Sequence, residues 1–169
     1  MSSSSRSSIR LGKSALVLTT AVLTSLVVVN NVTDYQSNFV FVSHVLSMDT
    51  TFPGNNGLWR RIEAPLVHHG AYVSIILVQC LIASLTWIGG LGMLVARADS
   101  ARFASSTGYA VLGLTAGVVL YVAGFLGIGG EWFLMWQSKS WNAQDAAMRF
   151  ALVFALVLLV VIQADRDES

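Results

Sequence analysis

Charge is what this sequence has least of. Asp, Glu, Lys and Arg make up 11% of its 169 residues, against about 25% in an ordinary soluble domain. Four stretches carry almost none: from Lys13 to Asp34, from Glu63 to Arg97, from Arg102 to Glu131, and from Phe150 to Ala164. A spanning helix needs ~20 mainly apolar residues, so these gaps predict four membrane spans and leave no room for a large soluble domain. No Asp, Glu, Lys or Arg lies deep in any of them. Proton relays and ion pathways rest on such groups, and their absence weighs against a transporter. The single cysteine, Cys80, excludes an intrachain disulfide, and its place in an apolar stretch disfavours a reactive thiolate. There is no nucleophile elbow, no HExxH and no P-loop, and no enzyme is expected. A net charge of +1 points to no nucleic acid and no acidic partner.

What is present is 54% hydrophobic. It predicts an all-α membrane protein, one domain over residues 1–169, folded as a bundle of four transmembrane helices. The spans are expected at 11–30, 65–96, 105–129 and 142–163, with outer loops at 31–64 and 130–141. The Ser-rich start, Ser2 to Ser8, reads as a disordered polar tail. Arg6, Arg10 and Lys13 before Leu16 mimic a signal peptide, but no small-residue cleavage site follows, so the first helix is expected to be retained. Pro65 suits the first position of a helix. The second span is longer than the hydrocarbon core, so it must tilt or push its His68-His69 end into water. Asn142 is a candidate cap for the fourth span, and Asp145 and Arg149 are spaced to pair.

Basic residues set the orientation. Arg6, Arg10 and Lys13, with Arg97 and Arg102, are expected to face the cytoplasm under the positive-inside rule, and four spans return the C-terminus there too. Trp59, Trp132, Trp136 and Trp141 all fall in or beside the two outer connections, where an amphipathic indole favours the interface. Within the first outer loop, Tyr35, Phe39, Val42, Val45 and Leu46 recur near helical spacing. Residues 39–42 also suit a strand, but a short amphipathic helix is favoured. Asn31-Val32-Thr33 forms a glycosylation sequon that abuts the membrane and reads as chance.

Few residues carry a functional signal. Gly113 and Gly117 form a GxxxG spacing, which brings helices together either within this chain or against another protein. Gly124, Gly127, Gly129 and Gly130 allow a hinge or a simple helix end. His44, His68 and His69 are candidate metal ligands on the outer side, although adjacent His68 and His69 point ~100° apart on a helix. Gln79 is the most polar residue of the second span. Trp59, Arg60, Arg61, Trp136 and Trp141 are candidate partner contacts, since Trp and Arg dominate hot spots.

The runs Asn30-Asn31-Val32-Thr33-Asp34-Tyr35, His44 through Phe52, Trp141-Asn142 and Arg149-Phe150 resemble a bacterial family of predicted small integral membrane proteins of unknown function. The resemblance covers nearly the whole chain and implies a four-span protein of the bacterial inner membrane. It implies no activity, substrate or cofactor. The family's pattern has an acidic residue near the place of Gln79, so a role needing charge there does not carry over. The expected function is an accessory or assembly subunit of a larger inner-membrane complex, in contact with other membrane subunits and with bound lipid but no cofactor. The alternatives are a small transporter or channel acting as an oligomer, and an outer-face metal or cofactor site.

Overall fold

The structure, a computed structural model, describes residues 3–163. The described chain is helical without strands: α1 (Ser3–Thr33), α2 (Tyr35–Ser47), α3 (Pro65–Val95), α4 (Ser100–Val119) and α5 (Gln144–Val161). A wider helix, Leu120–Trp132, continues α4 directly and is called the π segment below. Two single 3₁₀ turns, Leu58–Arg60 and Met135–Gln137, sit in the connections. The helices α1, α3, α4 with its π segment, and α5 are each long and apolar enough to cross a membrane.

Helix α1 begins earlier than its apolar run. Ser3 to Ser8, expected to be disordered, form its first turns, because the apolar helix behind them removes the nucleation penalty. Its polar side chains remain compatible with lipid by bonding backwards within the helix. Ser14 donates to the Arg10 carbonyl at 2.8 Å and Thr20 to that of Val17 at 2.7 Å. Thr24 and Ser25 do the same toward Thr20 and Ala21, both at 2.8 Å. Such bonds hide a hydroxyl where water is absent.

Helix α3 is the central element. It packs against α1 on one side and α4 on the other. Small residues set both distances. A Cβ on Gly90 would strike Leu18 Cδ2 of α1 at 2.8 Å, and one on Gly89 would fall on the Ala110 backbone of α4. From the other side, a Cβ on Gly113 would lie 2.9 Å from Thr86 Cγ2, and one on Gly117 would enter the Phe154 ring of α5. The Gly113/Gly117 pair is therefore buried inside this bundle, packed against Thr86 of α3 and Phe154 of α5. Around these contacts lies the main core, including Val17, Ile82, Met93, Leu114 and Phe154.

The two ends of the bundle differ. At the basic end, Arg10 donates to the Arg97 carbonyl at 3.2 Å and to Ser100 Oγ at 2.9 Å, and its guanidinium lies over Phe103. Lys13 donates to the Gln163 carbonyl. The start of α1, the α3–α4 turn and the end of α5 thus share one end. Asp99 caps α4 by accepting from the Ala101 and Arg102 amides, both at 3.1 Å. That cap starts the third span at Ser100 rather than 105.

At the opposite end α3 outlasts α1. Gln79 meets Asn31 in the last turn of α1, and the fourteen steps from Pro65 to Gln79 add about 21 Å at 1.5 Å each. This overhang carries a second core of Val42, Val45, Leu46, Met48, Tyr72, Phe133 and Met135. Helix α2 packs on it, and residues 39–42 are helical within α2. Two bulky residues hold left-handed backbone there, Met48 (φ 52) and Leu134 (φ 55), an arrangement that costs roughly 1–2 kcal/mol each. Two expectations for α5 are corrected. Asn142 accepts from the Gln144 amide at 3.0 Å one residue before the cap position, which Ala143 fills without a side-chain bond. Arg149 Nε donates to the Asp145 carbonyl rather than its carboxylate.

Because Gly89 faces backbone and cannot be relieved by a rotamer change, Gly89→Leu is expected to lower the thermal midpoint in detergent sharply, by a ΔΔG of roughly 1–3 kcal/mol or more. Gly108→Leu, where an added Cβ meets nothing within 4 Å, serves as the comparison and should leave the midpoint unchanged.

Candidate functional site

The overhang creates a cleft. Its polar part begins at Asn31. The last carbonyls of a helix have no intrahelical partner, and the Tyr72 hydroxyl donates to that of Asn31 at 3.0 Å. The Asn31 amide donates in turn to Gln79 Oε1 at 2.7 Å. Gln79 is 3% exposed. The Tyr121 hydroxyl stands beside its amide, and Asn38 of α2 lies beside Tyr72. Three helices and the π segment thus converge on one set of neutral polar groups. A cavity of ≈150 Å³ opens among them, walled on the α5 side by Ala147 and Phe150. The Phe150 ring stacks on Tyr121 at 4.8 Å and 9°.

A second cavity of ≈220 Å³ adjoins the first across Phe41, Val42, Ile75 and Phe125. It is lined almost wholly by carbon, between α2, α3 and the π segment. The π segment closes with the Phe133 amide donating to the Ile128 carbonyl at 2.9 Å, five residues back. Helices of this width are rare and are concentrated at functional sites. Gly124 and Gly129 face the cavity from it.

Sequence reasoning singled out Gln79 but not its companions. A signal existed on α3: Tyr72, Gln79, Thr86 and Met93 are each seven residues apart and all buried, so they mark one face. In the sequence Asn31 belongs to a sequon and to the run Asn30 to Tyr35. It is buried and bonded, which leaves no room for a glycan.

Outside the cleft, the two outer connections are tied into one cap. Arg60 donates to the Trp132 carbonyl at 2.9 Å and lies 5.7 Å from the Trp59 ring and 5.1 Å from the Trp132 ring. The two indoles meet edge to face at 5.7 Å. Gln137 accepts from the Phe52 amide at 3.0 Å, and Thr50 donates to Ser138 at 2.8 Å. Trp136 meets Phe52 at 5.8 Å. Arg61 pairs with Glu63 at 3.3 Å on the surface.

The three histidines are spread over this cap, each with its own partner. His44 bonds Asp49 at 2.6 Å and stacks on Trp141 at 4.4 Å. His68 bonds the Ile62 carbonyl at 2.8 Å. His69 bonds the Tyr35 hydroxyl at 2.8 Å and stacks on Phe39 at 4.0 Å. Among the described residues, no three His, Cys, Asp or Glu side chains come together to hold a metal.

A family model described as "Predicted small integral membrane protein (DUF2165)" matches residues 9–164. The chain belongs to that family. Searches among curated proteins and among solved structures each found no match.

The Asn31–Gln79 bond can be measured directly. Asn31→Leu and Gln79→Leu are each expected to destabilise the protein, and the double variant should be less destabilised than their sum. The coupling from an unfolding titration in detergent should fall at about 0.6–1.7 kcal/mol, the range for interhelical hydrogen bonds in membranes.

Proposed function

We propose that this small integral membrane protein is an accessory or assembly subunit of a larger complex in the bacterial cytoplasmic membrane, and that it docks through its outer cap rather than performing catalysis. The observation that carries this reading is the Trp59–Arg60–Trp132 cluster. Trp59 is 75% exposed and Trp132 49%, yet the Arg60 guanidinium lies against both rings. Trp and Arg are the residues most enriched in binding hot spots, and ordering them in advance lowers the entropy lost on association. Trp136, 45% exposed, and the Arg61–Glu63 pair extend the same surface.

The rest of the molecule suits a scaffold. Asn31, Gln79, Thr20, Thr24 and Thr86 within the spans are engaged in helix–helix or intrahelical bonds, and Gly89, Gly90, Gly113 and Gly117 are spent on its own packing. The end that carries Arg10, Lys13, Arg97 and Arg102 is assigned to the cytoplasm on charge, with both termini on that side and the cap outside.

Two experiments test this. Mild extraction of the tagged protein from native membranes, followed by native electrophoresis, should give a high-mass band. Trp59→Ala with Trp132→Ala should release the protein from it while leaving its melting midpoint unchanged. Migration of the unaltered protein only as a monomer or homo-oligomer would count decisively against the subunit reading. For orientation, a cysteine placed at Asn56 in a Cys80→Ser background should react with a membrane-impermeant maleimide from outside, and one at Ser105 should react only after permeabilisation.

A further inference from the structure

Between α3 and the π segment the bundle stays open. The third span meets α3 closely where Gly89 lies on the Ala110 backbone. Farther along, α3 and the π segment part, and the ≈220 Å³ apolar cavity lies in the wedge between them. The chain from Arg60 to Pro65 joins the two lips of that wedge. Arg60 Nη1 donates to the Glu131 and Trp132 carbonyls at the end of the π segment, at 3.4 and 2.9 Å, and Pro65 begins α3. Ile128 stands exposed at one lip. The protein does not fill this space itself. A Cβ on Gly124 would come no nearer than 3.7 Å to another atom, and one on Gly129 no nearer than 3.7 Å. At Gly113 and Gly117 of the same span a Cβ would collide.

The depth of the wedge follows from α5. Gln144–Val161 rises about 27 Å, close to the ~30 Å of the hydrocarbon core, so Gln144 marks the outer edge of that core. Gly130 is level with this mark, since a Cβ on it would lie 2.8 Å from Gln144 Nε2. The cavity residues Leu120, Gly124 and Gly129 precede Gly130 and lie on the hydrocarbon side. Glu131 and Trp132 follow it, which puts the Arg60 guanidinium on their carbonyls at headgroup depth.

These two levels state the chemistry of the occupant. An opening at the depth of the cavity meets lipid tails, which are as apolar as its walls. Water there would lack the polar partners it needs. At the upper level Arg60 carries a charge that the two carbonyls do not neutralise. Among the described residues no carboxylate lies within 4 Å of it, the ion pairs there being His44–Asp49, Arg61–Glu63 and Arg102–Asp99. Its Nη2 donates to no acceptor among them either. An unpaired guanidinium favours a phosphate, and here a slot for a hydrocarbon chain begins one helical turn below it.

We propose that this wedge holds a phospholipid of the cap-side leaflet, with one acyl chain beside Gly124 and Gly129 and its phosphate on Arg60. The inference goes beyond the docking reading of the cap and does not rest on it, because it is read on the isolated protein.

The test is native mass spectrometry of the full chain released from detergent. The probe is dioleoylphosphatidylglycerol, and dioleoylglycerol supplies the same chains without a phosphate. The unaltered protein should bind one phosphatidylglycerol, about ten-fold or more tightly than the diacylglycerol. Gly124→Leu fills the slot without meeting protein, so it should keep the melting midpoint and weaken both probes by about ten-fold or more. Arg60→Gln should bring phosphatidylglycerol down to the level of the diacylglycerol and leave the diacylglycerol unchanged. Gly108→Leu, away from the wedge, should bind like the unaltered protein. Absence of a one-to-one adduct with phosphatidylglycerol would overturn the proposal. Equal affinity of the unaltered protein for the two probes would remove the phosphate from it, and undiminished binding by a folded Gly124→Leu protein would remove the slot; either result overturns it. So would native complexes that yield no phospholipid on extraction, which would assign the wedge to a side chain of a partner helix.

Discussion

The close approach of α3 and α4 governs the rest of this molecule. In lipid, apolar side chains gain nothing by leaving their surroundings, so helices associate through van der Waals contact and shape. Gly89 against the Ala110 backbone and Gly113 against Thr86 bring the two helices close enough for that contact to be dense. With α3 fixed to α4, Gly90 of the same helix receives Leu18 of α1, and Gly117 of α4 receives Phe154 of α5. Each outer helix is therefore placed by a vacancy on the central pair. The hydroxyls distributed along the helices add little to this arrangement, because most bond within their own helix.

A second constraint is offset. The central pair extends past its flanking helices at one end, and a helix cannot leave an apolar face bare in an aqueous or interfacial setting at no cost. Helix α2 and the two outer connections cover that overhang and form a second core with it. The cover is imperfect in one place, between α2, α3 and the π segment, and the cleft lies there. Its polar floor is where α1 ends and its last carbonyls need partners. The cleft thus follows from the offset between the helix ends as much as from any one residue.

The architecture was legible because lipid imposes a coarse rule on sequence. Charge-free runs mark the spans, and Pro65 marks the start of α3. The amphipathic spacing of Tyr35, Phe39, Val42 and Leu46 marked α2. What stayed hidden depends on relations between helices. The glycines at 113 and 117 and those at 124 and 129 look alike in the sequence, and only their neighbours divide them into filled and open positions. The π widening has no compositional signature beyond glycine. Asn31 and Gln79 are 48 positions apart, and the register that joins them is set by packing far below. The Ser-rich start was misread for the opposite reason: its composition is that of a flexible tail, but the helix behind it extends through it.

The bond from Lys13 to the Gln163 carbonyl joins residues 150 positions apart, and it has a consequence for biogenesis. The spans leave the ribosome in chain order, so α1, α3 and α4 reach the bilayer while α5 is still being made. In that interval Gly117 has no Phe154 against it, and the Gln163 carbonyl that accepts from Lys13 is not yet made. The intermediate presents a bare glycine notch on the face of α4 that α5 will cover. Insertion of α5 fills that notch and supplies the Gln163 carbonyl together, which makes the final span the latch of the bundle.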